Sequence, residues 1–155
     1  MDTIPGRPPV ASPYRALLTA LERQIVLPKI NPAYYHLLAI LLSVLFLYAQ
    51  TSWQKLALLA MILLLDWLDG ATARRYAEAH RAGYVTDVVT DRVSEAFLFT
   101  AEAGTRLGQL FFLLWLFNSA LAFYSVRSNR HTSLPLRIVY LILLAVQSVT
   151  GVTLR

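Results

Sequence analysis

Five apolar segments, at about 33–49, 53–69, 84–103, 107–126 and 134–151, take up most of the chain and constrain its fold more than any other feature. Most come close to the ~20 residues that cross a bilayer as a helix. None has the strict alternation of a barrel strand, so the class that fits is an all-α, polytopic membrane bundle with five transmembrane helices. The second segment is the tightest case, with Leu56 to Leu65 uninterrupted before Asp66. Charged residues make up only 15% of the 155 and mean hydropathy is +0.52. A soluble domain carries roughly 25% charge, so an ordinary soluble globule and a disordered chain are both poor fits. With no Cys, a disulfide framework and a thiolate metal site are excluded.

Residues 1–13 hold four of the seven prolines and read as a flexible cytosolic tail. Over 14–28, Tyr14, Leu17, Leu18, Leu21 and Ile25 recur at helical spacing opposite Arg15, Glu22 and Arg23. Directly before an apolar span this pattern fits an amphipathic juxtamembrane helix. The remaining residues, 29–155, form one transmembrane domain. With the N-terminus inside, ten Lys and Arg fall on the cytoplasmic side and three outside, the bias of a protein with a cytoplasmic N-terminus. The net charge of +5 therefore requires no nucleic-acid partner.

Six of the nine carboxylates lie between Asp66 and Glu95, and all but Glu78 fall within or at the ends of the second and third spans. An acid at a span centre costs about 2.5–3.5 kcal/mol on insertion scales, so a cluster of them implies use. At 100° per residue Asp66, Asp69, Gly70 and Ala73 share one side of a helix, and Gly83, Asp87, Asp91 and Glu95 form an i, i+4 ladder on the next. If the two helices are antiparallel neighbours, four aspartates converge. They repel one another unless they share a proton or hold cations. Oxygen ligands without Cys or His suit Mg²⁺ or Mn²⁺. Arg74, Arg75 and Arg81 offer charge to phosphate oxygens beside them, which points to a phosphate-ester or diphosphate substrate. For Asp69-Gly70 the competing reading is a helix end stopped by glycine.

The stretch Asp66-Trp-Leu-Asp69-Gly70-Ala-Thr-Ala73-Arg74, eight residues, then Gly83-Tyr-Val-Thr-Asp87-Val-Val-Thr-Asp91 resembles the signature of CDP-alcohol phosphotransferases at every defining position. The resemblance implies that Asp66, Asp69, Asp87 and Asp91 bind two divalent cations, Mg²⁺ or Mn²⁺, and that Asp91 is also the general base. It implies that Gly70, Ala73, Arg74 and Gly83 line the cytidine-diphosphate pocket. The reaction implied is attack of an acceptor alcohol on a CDP-linked lipid donor, with release of CMP. Arg127, Arg130 and Arg137 are candidates for the phosphate of a phosphorylated acceptor, and Asp91-Arg92 hints at the inositol-phosphate branch. A homodimer in membrane lipid is implied as well.

Two features depart from the family. It usually has six spans, where five are counted here, so either the chain is C-terminally truncated or a partner supplies the rest. Ile30-Asn31-Pro32 only loosely echoes the family's Pro-Asn-x-x-Thr segment. The alternatives are a divalent-cation transporter or channel built on the Asp cluster, and an inactive family member. His36, His80 and His131 are scattered and read as interface or loop residues. Glu102 and Arg106 read as an i, i+4 pair, Glu95 as an arginine partner, and Tyr34, Tyr35, Trp53, Trp67 and Trp115 as membrane-belt aromatics.

Overall fold

Asn31 starts the first helix by accepting the amide of Ala33 at 3.0 Å, with Pro32 at the first helical position, where its missing N–H costs nothing. In a computed structural model that describes residues 30–76, 81–128 and 134–151, the described residues form five helices and no strand. In chain order they are α1 (Pro32–Phe46), α2 (Ser52–Arg75), α3 (Arg81–Ala101), α4 (Arg106–Ser128) and α5 (Leu136–Thr150). The tail and juxtamembrane helix expected over 1–28 lie outside the described residues.

The ends of these helices follow from local chemistry. Thr51 and Gln54 cap α2 reciprocally, side chain to backbone in both directions. Gly151 closes α5 in the left-handed region at φ 68°. The expected segments agree with the helices to within a few residues, with one exception. α2 does not stop at Asp69-Gly70 but runs on to Arg75. Ala71, Ala73, Arg74 and Arg75 are strong helix formers, and they outweigh the ~1 kcal/mol cost of an interior glycine.

α1 packs on both α2 and α3, α5 packs on α2, and α4 packs on α3 and more lightly on α5. α2 and α3 are not among the closely packed pairs, yet their carboxylates meet. α1 bridges them, and the space left between is crossed by side chains. Ser43 of α1 and Ser94 of α3, both fully buried, meet Oγ to Oγ at 2.5 Å, so small residues let these two helices approach.

Away from that opening, Phe46, Phe99, Phe111 and Tyr140 join α1, α3, α4 and α5, with ring centroids 5.1–6.4 Å apart. Nearby, Lys55 of α2 forms an ion pair with Glu102 just beyond α3. Glu102 was expected to pair with Arg106 four residues on. The chain turns between them instead, and the amide of Thr105 donates to the carbonyl of Glu102 at 2.9 Å. Gly108 is buried against this turn, where an added Cβ would lie 1.8 Å from the Glu102 carbonyl oxygen. Midway along α4, fully buried Asn118 grips Leu134 by both main-chain groups, accepting from its N–H at 2.7 Å and donating to its C=O at 3.2 Å. That clamp fixes where α5 begins.

Burial runs against the usual sorting. Thr72, Ser94, Asn118, Glu95 and Arg137 are buried, while Leu113, Phe117, Phe123 and Val149 are among the large apolar side chains left exposed. Among the described residues two helices, over Ser52–Ala73 and Arg106–Ser128, are long and apolar enough to cross a membrane. α1 and α5 have 15 residues each, about 22 Å at 1.5 Å per residue. α3 has the length but carries Asp87, Asp91, Arg92 and Glu95.

Candidate active site

The opening between α2 and α3 holds the four signature aspartates. Asp66 and Asp69 project from α2, and Asp87 and Asp91 from α3. Carboxylate oxygens of Asp66, Asp87 and Asp91 lie within 4.8 Å of one another. A second group meets the same limit, made of Asp87, Asp69 and His36 of α1. Asp87 is common to both. The helical spacings make this possible, since 66/69 and 87/91 each place two carboxylates on one helix face, and α1 holds those faces opposite one another.

The arrangement fits divalent cations. Two oxygens bound to one Mg²⁺ at ~2.1 Å lie about 3 Å apart when adjacent and about 4.2 Å apart when opposite. Both groups, with ligand atoms within 4.8 Å of one another, are near that range. The donors are hard, and a cation of charge two offsets the repulsion between them.

Arg137 is the cation the structure places among these acids. It is 6% exposed, and its Nη2 donates to Asp91 Oδ1 at 2.6 Å and to the Asp91 carbonyl at 2.8 Å. Its Nε lies 3.5 Å from Glu95, which also pairs with Arg92 one turn away at 2.9 Å. Asp91, Arg137, Glu95 and Arg92 thus alternate in sign, which is how charges persist in a buried place. Trp115 donates its indole N–H to the carbonyl of Arg92 at 3.0 Å, tying α4 to this part of α3.

The other expected site residues are placed as follows. Gly70 and Ala73 of α2 and Gly83 of α3 are half-buried, one turn or less beyond the aspartates toward the α2–α3 connection. Arg74 belongs to α2, with its side chain outside what is described. Arg127 is exposed in the last turn of α4, and Arg130 is outside the described residues. Of the two described, Arg137 reaches the aspartates.

Sequence reasoning set aside three residues that matter here. His36 was read as an interface residue, yet its Nε2 lies 3.6 Å from Asp69 Oδ2. Tyr35 was assigned to a membrane belt, yet it is buried and lines the pocket with His36 and Asp69. Trp115 is half-buried and engaged with α3, whereas Tyr34 and Trp53 are exposed as expected. The available signal for Tyr35 and His36 is their position, about one helical turn past the Asn31 cap at the start of the first apolar segment.

The sequence model of the CDP-alcohol phosphatidyltransferase family matches residues 30–153, which take in all five helices. No curated protein and no solved structure matches the chain. The chain belongs to the CDP-alcohol phosphatidyltransferase family. These are membrane-associated transferases that use divalent metals to move a phosphoalcohol group from a CDP-alcohol donor to an alcohol acceptor.

Proposed function

We propose that this family member is a multi-pass membrane enzyme of phospholipid biosynthesis, taking a CDP-linked lipid as donor and a polar alcohol, of the inositol-phosphate type, as acceptor. The observation that carries the reading is the convergence of Asp66, Asp69, Asp87 and Asp91 from two helices into two groups that share Asp87. The burial pattern supports the membrane setting. In hydrocarbon, leucines and phenylalanines face outward at no cost while hydroxyls, amides and charges must find partners inside. The acids of α3 face the bundle interior. The site opens on the cytoplasmic side, where the α2–α3 connection with Arg74, Arg75 and Arg81 lies. A homodimer is the proposed assembly.

In this reading Asp66, Asp69, Asp87 and Asp91 hold two divalent cations, Mg²⁺ or Mn²⁺. When bound, such cations neutralise the donor diphosphate and make CMP a better leaving group. Gly70, Ala73 and Gly83 leave room for the nucleotide, and Arg74 pairs with a phosphate. Asp91 accepts the proton of the acceptor hydroxyl. The freed oxygen forms a bond to the β-phosphorus as the bond from that phosphorus to the CMP oxygen breaks. CMP leaves with the electron pair, and the proton passes from Asp91 to water.

Arg137 fits this scheme in two ways. At rest its Nη2 donates to Asp91 Oδ1 at 2.6 Å, so that carboxylate oxygen is already engaged. A phosphorylated acceptor competes for the same guanidinium, so its binding frees Asp91 as the hydroxyl arrives. Arg127 and Arg130 add positive charge on the acceptor's approach. The test is CMP release from CDP-diacylglycerol, and from an archaeal-type CDP-linked donor, with acceptors supplied one at a time and Mg²⁺ or Mn²⁺ present. Acceptor-dependent CMP formation that stops on chelation supports the reading. Divalent-cation flux without CMP formation refutes it in favour of a transporter.

A further inference from the structure

Of the two groups of converging ligands, one is not made of carboxylates alone. His36 lies outside the signature, on a different helix, and its Nε2, Asp69 and Asp87 come within 4.8 Å of one another. The His36 Nε2 to Asp69 Oδ2 separation is 3.6 Å, too long for a hydrogen bond. It is close to the ~3 Å between neighbouring ligands on one cation. Both side chains are largely buried, at 14% and 10% exposure. The backbone that carries the imidazole is also held in place. Asn31 and Pro32 fix the first turn of α1, and α1 packs on both helices that carry the aspartates.

Building on the proposed two-cation site, we infer that His36 supplies an imidazole nitrogen to one of the two cations. That position is then His36–Asp69–Asp87, and the other is the all-oxygen Asp66–Asp87–Asp91. The two positions therefore differ in preference. Imidazole with carboxylate favours Mn²⁺ and later transition metals over Mg²⁺, whereas oxygen alone suits Mg²⁺. Asp87 bridges the two, so loss of His36 weakens one position and leaves the other its full ligand set.

The probe is Mn²⁺ alone, added to the purified full chain in detergent or lipid nanodiscs and read by pulsed electron paramagnetic resonance. The expected result is ¹⁴N coupling to bound Mn²⁺ in the unaltered chain. In His36→Gln, which keeps size and polarity, the coupling is lost and affinity for one Mn²⁺ falls on the order of tenfold, the low end of losses at perturbed metal sites. Asp91→Asn, altered in the other group, keeps the coupling. Bound Mn²⁺ without nitrogen coupling in the unaltered chain overturns the role of His36, as does coupling that survives in His36→Gln. Should His36→Gln fail to fold, the unaltered chain's spectrum decides alone. Absence of Mn²⁺ binding, or binding indifferent to Asp87→Asn, overturns the cation site itself together with this inference.

Discussion

Replacing Arg137 by Ala removes the positive charge between half-buried Asp91 and buried Glu95. Arg137 is 6% exposed, donates to Asp91 at 2.6 Å, and approaches Glu95, itself 2% exposed, at 3.5 Å. Removing one partner of such a pair costs about 3–5 kcal/mol, because the charge left behind has lost its water and its counter-ion. At ~2–4 °C per kcal/mol for a chain of 150–250 residues, the melting temperature should fall by roughly 6–20 °C. A divalent cation bound beside Asp91 replaces part of the lost charge. Saturation at 100 times Kd contributes about 2.7 kcal/mol. In the unaltered chain Arg137 competes with the cation for Asp91, so Mn²⁺ should raise the melting temperature of Arg137→Ala more than that of the parent. Thermal unfolding of the full chain in one detergent, with and without Mn²⁺, measures both. A fall of less than about 2 °C, or an equal Mn²⁺ increment in both proteins, would refute the reasoning.

Asp91→Asn keeps the size of the side chain but cannot accept the acceptor's proton. CMP formation should be lost while binding of the CDP-linked donor, followed by titration calorimetry, is largely kept. Asn118→Leu leaves both main-chain groups of Leu134 without their buried partner, at ~1–3 kcal/mol for each. It also loosens the start of α5, so KM for a phosphorylated acceptor should rise more than KM for the donor. Gly108→Ala puts a Cβ 1.8 Å from the Glu102 carbonyl, so the α3–α4 turn must shift. Overpacking of this kind costs about 1–3 kcal/mol, visible as a lower melting temperature.

The helices and the four aspartates were legible in the sequence because each rests on a one-dimensional pattern. Apolar runs bounded by Asn31-Pro32, Thr51 and Gly151 delimit helices, and the 66/69 and 87/91 spacings fix helix faces. What could not be read was how faces from separate helices meet. Arg137 lies 46 residues from Asp91, and the Asn118 clamp on Leu134, the Tyr140 ring cluster and the packing of α5 on α2 bring it there. His36 looked like an isolated ring because its partners lie on α2 and α3. Gly70 resembles a stop as a local signal, but the helix formers after it carry α2 on to Arg75.

The number of Mn²⁺ ions bound per chain, measured on the full protein and on Asp87→Asn, tests the central claim most directly. Two ions in the unaltered chain, with both bindings weakened by the single change at the shared aspartate, is the predicted result. A chain that binds no Mn²⁺, or whose binding is untouched by Asp87→Asn, would contradict it.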